Sequence, residues 1–216
     1  MSGGILGDVA IREAIRLGDI QVGGIESLER ALQPASVDLT LGRSFCRFVR
    51  RERHPLFGGP PLLDFRDANR PPEVEARKFE AGEVSLDPGE FILASTEEYI
   101  SLSALYAARV EGRSSVGRLG LLTHLTAGFI DPGFAGRITL ELLNVSGCEM
   151  ILPAGFPIAQ IAFFKADRVA RPYGRDRNHY LGQHAATPSR LVTPYRLGDG
   201  GSRVYADGAR ALVGED

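Results

Sequence analysis

A single carboxylate stands among apolar residues in Ile138-Thr139-Leu140-Glu141-Leu142-Leu143. In an extended strand Ile138, Leu140 and Leu142 share one face and Thr139, Glu141 and Leu143 the other. If the first face is core, Glu141 is aimed into a cleft, where a glutamate can take a proton from water and return it to a substrate. The alternative is a solvated carboxylate on the wet face of an antiparallel sheet. Upstream, Gly112-Arg113-Ser114-Ser115 offers a guanidinium fork, two hydroxyls and backbone N–H groups at a predicted helix start, all suited to phosphate oxygens. The same serines could serve as helix caps. Between these segments lies Ile130-Asp131-Pro132-Gly133, in which Asp131 answers either to chemistry or to the turn preference of Asp-Pro-Gly. A loop that cradles anions, an acidic turn and a lone carboxylate in one stretch point together to nucleotide chemistry.

The elements that must position these groups read as short strands. Asp8 is expected to cap a short helix with Ile11, Ala14 and Ile15 on one face and Gly18 as its stop. Ser36 to Leu41 alternates like a half-buried strand. Two segments resemble each other: Leu86-Asp87-Pro88-Gly89 precedes the apolar run from Phe91, and Leu152-Pro153-Ala154-Gly155 precedes Phe156 to Phe164. Both read as tight turns that feed strands. This rhythm across residues 35 to 165 predicts a mostly β fold, a distorted antiparallel β barrel or jelly roll with short helices. The Pro-, Gly- and charge-rich stretch from Arg50 to Arg77 reads as a long excursion from the sheet, and Gly198-Asp199-Gly200-Gly201-Ser202 as a flexible tail. The expected organisation is one domain over residues 1–190 with an extension at 191–216.

At 216 residues the chain can bury one sizeable core, and its 24% charged residues and net charge of −2 give no general attraction to nucleic acid or anionic membrane. An anionic ligand must therefore meet a local cationic pocket. Cys46 and Cys148 are too few for a disulfide scaffold and lack the spacing of a structural zinc site. The N-terminus has no basic region followed by an apolar run, and no stretch reaches about 18 apolar residues. The expectation is a cytoplasmic chain without a membrane span.

Residues 110 to 144 carry the ordered motifs Arg-Ser-Ser-x-x-Arg-Leu-Gly, Thr-Ala-x-x-Ile-Asp-Pro-Gly and Leu-Glu-x-x-Asn. Gln33-Pro34-Ala35-Ser36-Val37-Asp38 precedes them, and Arg171-Pro172-Tyr173-Gly174 and Gly182-Gln183 follow. Together they closely resemble the dCTP deaminases of the trimeric dUTPase superfamily over nearly all of residues 5 to 190. The resemblance implies hydrolytic removal of the C4 amino group of cytosine, with Glu141 as the base, Ser114 and the backbone around Ala127 holding the water, and Arg118 orienting the glutamate. Arg113, Ser114 and Ser115 carry over as triphosphate binders, and Asp131 as the contact to the deoxyribose 3′-hydroxyl. Val116, Gly117, Thr139, Leu140, Gln160, Tyr173 and Gln183 match further nucleotide contacts, and His179 stands at the position from which a family member binds the terminal phosphates.

The segment Thr126-Ala127-Gly128-Phe129-Ile130-Asp131 resembles the dUMP-forming branch, in which Asp131 also helps water attack the α-phosphate and pyrophosphate leaves. Enzymes that stop at dUTP tend to carry His-Arg where this chain has Gly128-Phe129. Implied with the family are a homotrimer, magnesium carried on the triphosphate, and dTTP as a feedback inhibitor with His124 adjoining the site. The dUMP so formed would supply thymidylate synthesis. Zinc chemistry is not expected, since the His-x-Glu and Pro-Cys-x-x-Cys signature of zinc deaminases is missing. The chain departs from the family at His179, where a lysine is usual. The competing readings are a deaminase that releases dUTP and a trimeric nucleotide-binding regulator without turnover.

Overall fold

The computed structural model describes residues 4–50, 74–167, 169–174, 179–190, 195–197 and 203–205. The expected flexible tail, Gly198 to Ser202, and residues 51–73 of the expected excursion lie outside them. The chain divides into two units, one made of Met1–Arg47 with Arg77–Pro188 and the other of Phe48–Ala76 with Ser189–Asp216. In the second unit, β13 (Tyr195–Leu197) pairs antiparallel with β14 (Arg203–Tyr205).

The first unit opens with α1 (Asp8–Arg16), which buries Ile11 and Ala14 and is stopped at Gly18, whose φ is +79°. Asp8 does not cap this helix. The first helical hydrogen bond runs from Ile11 N–H to Gly7 O at 2.9 Å, so extended Gly7 occupies the cap position without a side-chain bond. Asp8 falls in the first turn, where its charge still complements the helix dipole.

There follow β1 (Ile20–Gly23), α2 (Leu28–Ala31), β2 (Leu32–Gln33), β3 (Ser36–Arg50), β4 (Val74–Glu80), β5 (Glu83–Leu86), β6 (Phe91–Leu102), β7 (Tyr106–Gly112), α3 (Ser114–Gly117), β8 (Leu121–Thr123), β9 (Phe129–Ile130), β10 (Ala135–Asn144), β11 (Met150–Pro153) and β12 (Pro157–Lys165). One sheet runs in the order β8-β10-β6-β3-β12-β7-β9, with β1 on β6 and β2 and β4 on β3. Every pairing with a described register is antiparallel, as the strand rhythm led us to expect.

The two similar turn segments pair with each other. β5 and β11 form a two-stranded sheet in the register Met150↔Leu86 to Pro153↔Glu83. Each then enters a four-residue turn closed by Glu90 N–H to Asp87 O (3.0 Å) or Phe156 N–H to Pro153 O (3.2 Å). The third residue of each turn is a glycine, Gly89 at φ +80° and Gly155 at φ +81°, a left-handed position that glycine reaches without steric penalty. β6 and β12 start directly after these turns.

β10 alternates as its sequence predicts: Gly136, Ile138, Leu140, Leu142 and Asn144 are buried, whereas Thr139, Glu141 and Leu143 are only half-buried. Ile138, Leu140 and Leu142 join Phe45, Ile92, Ile158 and Phe163 in the core; each such side chain contributes roughly 1.5–3 kcal/mol by leaving water. Asn144 ends the strand. Its Nδ2 donates to Leu86 O (3.0 Å) and Cys148 O (2.8 Å), and its Oδ1 accepts from Ser146 N–H (2.9 Å) and Ser146 Oγ (2.7 Å). The asparagine of the Leu-Glu-x-x-Asn motif thus ties β10 to the end of β5 and holds the strand that carries Glu141.

Candidate active site

Glu141 faces a hairpin companion. β8 pairs with β10 at Leu142↔Thr123, and His124 N–H donates to Glu141 O at 2.8 Å, so the chain after β8 passes beside the carboxylate. There Thr126 donates twice, its N–H to Oε2 at 3.1 Å and its hydroxyl to Oε2 at 3.1 Å and Oε1 at 3.4 Å. Donors of this kind fix the direction in which the carboxylate points. Thr126 stands in the Thr-Ala-x-x-Ile-Asp motif, yet sequence reasoning assigned it no role.

The phosphate-suited loop lies at the end of β7. Arg113 is the N-cap of α3, and no side chain caps that helix, so neither Ser114 nor Ser115 spends its hydroxyl on capping. Both are exposed. Arg113, Ser114, Ser115 and Gln160 line one pocket of ≈ 320 Å³, together with Gln33, Pro34, Ala35, Ser36 and Asp38 from the β2–β3 hairpin. Gln160 is fixed in it, accepting from Ser36 Oγ at 3.2 Å and donating to Gly112 O at 3.4 Å. Arg113 forms an ion pair with Asp38 at 3.2 Å and donates to Pro157 O at 3.2 Å. Sequence reasoning assigned no role to Gln33, Ser36 or Asp38. The signal was present, since Ser36 and Asp38 alternate with Val37 and Leu39, both fully buried, and so share the opposite face of β3.

A third group forms around the acidic turn. Asp131 is exposed at the end of β9, and Phe134 N–H closes the turn on Asp131 O at 3.2 Å. Tyr173 docks on this turn: its N–H donates to Pro132 O at 2.7 Å, its ring lies 5.9 Å from that of Phe134, and its hydroxyl accepts from Tyr180 N–H at 3.2 Å. Gln183 is buried against β10, with Arg137 N–H donating to its carbonyl and its Nε2 donating to Arg137 O, each at 2.8 Å. Thr139 Oγ1 accepts from Thr187 N–H at 3.2 Å.

Gly128 explains how close β9 comes to β7. Val110 N–H donates to Gly128 O at 2.8 Å, and a Cβ added at Gly128 would lie 2.5 Å from Val110 O. No side chain fits there unless the backbone shifts, and the strand that would shift leads to Asp131. Next to it His124 has φ +58°, and its Nδ1 is buried without a hydrogen-bond partner.

Within the chain, then, Arg113, Ser114, Ser115 and Gln160 come together, Asp131 and Tyr173 come together, and Glu141 stands with Thr126. Among the described residues neither Ser114 nor Arg118 is hydrogen-bonded or ion-paired to Glu141. Arg118 and Gly117 are exposed at the end of α3, and Ala127 is exposed beside Thr126, while His179 is exposed with its ring 6.1 Å from that of Tyr180. The side chains of Val116 and Leu140 belong to the core, so only their backbone is left to face a ligand. Among the described residues no three His, Cys, Asp or Glu side chains converge as a metal-ion cluster, and no helix is long and apolar enough to cross a membrane.

Comparison with known proteins bears on the family. The family model described as dCTP deaminase-like matches residues 5–166. A protein of Methanothermobacter thermautotrophicus named "dCTP deaminase, dUMP-forming" is 40% identical over 203 residues, covering 89% of this chain and 96% of its own length. One of the same name from Nocardioides sp. is 46% identical over 162 residues, 74% of this chain and 81% of its own. The crystal structure of 2′-deoxycytidine 5′-triphosphate deaminase from Agrobacterium tumefaciens superposes with a TM-score of 0.56 at 25% identity, over 77% of this chain and 49% of that one. With its antiparallel β architecture, the motifs of residues 110 to 144 on its site strands and these likenesses, the chain belongs to the dCTP deaminase-like family.

Proposed function

We propose that the protein deaminates dCTP at cytosine C4 and carries the product on to dUMP and pyrophosphate. The observation that carries this reading is Glu141, a half-buried mid-strand carboxylate held by the Thr126 hydroxyl and N–H in a chain whose relatives are named for this reaction. Water is a poor nucleophile at neutral pH. Glu141 takes its proton as the oxygen attacks C4 and delivers that proton to N3 as C4 becomes tetrahedral; it then moves the remaining hydroxyl proton to the C4 amino group, so that ammonia leaves as the carbonyl forms. Ser114 and the backbone at Ala127 hold the water, and Arg118 orients the glutamate and steadies developing charge. Asp131 binds the 3′-hydroxyl and directs a second water at the α-phosphate. Arg113, Ser114, Ser115 and Gln160 receive the triphosphate, with Tyr173, His179 and Gln183 completing the nucleotide site.

Arg113 is already paired with Asp38, so the pocket offers little net positive charge to a ligand with several negative ones. Magnesium travelling on the triphosphate would supply that neutralisation. The active unit is a cyclic homotrimer in which a neighbouring chain brings Ser114 and Arg118 to Glu141. Two side chains near the site support this arrangement: Leu119, 73% exposed after α3, and Phe129, 64% exposed at the start of β9, are apolar surfaces that a neighbour would cover. The same site admits dTTP as an inhibitor, with His124 beside it.

Incubating the pure protein with dCTP and magnesium, and resolving ammonia, dUTP, dUMP and pyrophosphate, tests the reading. Ammonia and pyrophosphate are expected in equal amounts, with dUMP as the nucleotide product. Accumulation of dUTP alone would reduce the activity to deamination, and no ammonia at all would remove the enzyme reading. Light scattering is expected to give three times the chain mass.

A further inference from the structure

We propose that Asp38 is a positioning residue that holds the Arg113 guanidinium ready for a polyphosphate. The inference rests on the reading of the Arg113 pocket as the triphosphate site. Arg113 is held by two partners from different strands: its Nη2 forms an ion pair with Asp38 Oδ2 on β3 at 3.2 Å, and its Nη1 donates to Pro157 O, 3.2 Å away, where β12 begins. Gln33 Nε2 donates to the same Asp38 Oδ2 at 3.3 Å, which fixes the carboxylate in its turn. The pair is well sheltered, with Asp38 13% and Arg113 31% exposed.

A free arginine side chain has several rotatable bonds and loses much of its freedom when it grips an anion. Here that ordering is done before the ligand arrives. The guanidinium gives one N–H to Pro157 O and meets Asp38 as an ion pair, which leaves further N–H groups for phosphate oxygens in a pocket that also presents Ser114 and Ser115. The carboxylate also repels phosphate directly, so its net effect has a sign that experiment can read. Preorganisation of Arg113 predicts that losing Asp38 weakens binding, whereas repulsion alone predicts that it strengthens binding.

The test measures inorganic tripolyphosphate binding by calorimetry and dCTP kinetics for wild type, Asp38→Ala, Asp38→Asn, Arg113→Ala and the Asp38→Ala/Arg113→Ala double variant. Asp38→Asn keeps the shape and an acceptor oxygen, and covers the case in which the alanine variant does not fold. For Asp38→Ala we expect about tenfold weaker tripolyphosphate binding, a similar rise in KM for dCTP and no more than a threefold fall in kcat. Asp38→Asn falls between it and wild type. In the Arg113→Ala background the Asp38 change is expected to have no further effect, which a merely structural role would not produce. Unchanged or tighter tripolyphosphate binding, or an equal loss with and without Arg113, overturns the proposal. Failure of wild type to release ammonia, with the tripolyphosphate losses still present, would reject the deaminase reading and leave Asp38 in its role.

Discussion

Glu98 and Glu141 lie on β6 and β10, two strands paired in one sheet, and the local structure gives them opposite surroundings. Glu98 is the more deeply buried, at 2% exposure, and burial pushes its carboxyl above the ordinary glutamate range. It sits where the β6–β10 register slips between Arg137 and Thr139, and this irregularity turns it toward β3. There it accepts from Thr40 N–H at 2.9 Å and Thr40 Oγ1 at 2.7 Å. Glu141 stands in regular pairing, Glu141↔Leu93, half-buried and next to the loop that runs from His124 to Gly128. Burial and a raised pKa alone would single out Glu98 as the reactive group. What separates the two is their surroundings: Glu98 is enclosed by a strand that spends its acceptors, whereas Glu141 borders loops with exposed polar groups.

The comparison breaks most visibly at Glu141. Glu141→Gln keeps the shape and removes the proposed base, so dCTP deamination is expected to fall at least about a hundredfold while nucleotide binding and Tm persist. Near-normal ammonia release from this variant would place the base elsewhere. Asp131 sharpens the contrast within the site: Asp131→Asn is expected to depress pyrophosphate release about tenfold more than deamination, because in the proposed reaction the phosphate step calls on its charge in addition to the 3′-hydroxyl contact shared by both steps. Equal losses in the two products would leave Asp131 a binding role alone.

Gly128→Ala probes the backbone rather than a side chain. The added methyl forces β9 away from Val110 O and displaces Asp131, and displacements on the scale of an ångström can cost up to about a hundredfold. We expect a tenfold loss in pyrophosphate release with deamination less affected, so that dUTP accumulates. An unchanged ratio of dUMP to dUTP would show that the strand absorbs the methyl elsewhere.

The smallest effect is expected at Glu98, and it concerns stability. Because its folded pKa is raised above the ordinary 4.5, both states are protonated at low pH and no penalty applies. As pH rises from 4.5 through the raised value, the unfolded chain releases its proton before the folded one does, so stability is lost across that window. Glu98→Gln retains an acceptor for Thr40 N–H and a donor for Thr40 Oγ1. Thermal unfolding should show the pH slope above 4.5 in wild type and a flatter curve in the variant, with a Tm higher by roughly 2–4 °C at neutral pH. A variant less stable than wild type at neutral pH would make the Glu98 charge a stabilising element.

Much of this is legible in the sequence. The turns at Gly89 and Gly155 and the facing of Ile138, Leu140 and Leu142 depend on neighbours a few residues apart, and they formed where the pattern placed them. Asp8 was misplaced by one residue, because the cap position depends on which carbonyl accepts the first helical bond and Gly7 takes that role. The pairing of β5 with β11 was hidden behind the likeness of their turns, since similarity between segments does not say that they touch.

By itself the sequence determined that Glu141 lies on the face of β10 opposite Ile138, Leu140 and Leu142, because alternation is a property of extended backbone and needs no partner; which of the two faces is core was decided by the packing. It likewise determined the order of the motifs that carry the family likeness. Only the tertiary structure decided that Asp38 meets Arg113, 75 residues further along, and that Ser36 meets Gln160 across 124, because β3, β7 and β12 are brought side by side by the sheet. Contacts of that range are chosen by packing, which fixes partners that no local spacing encodes.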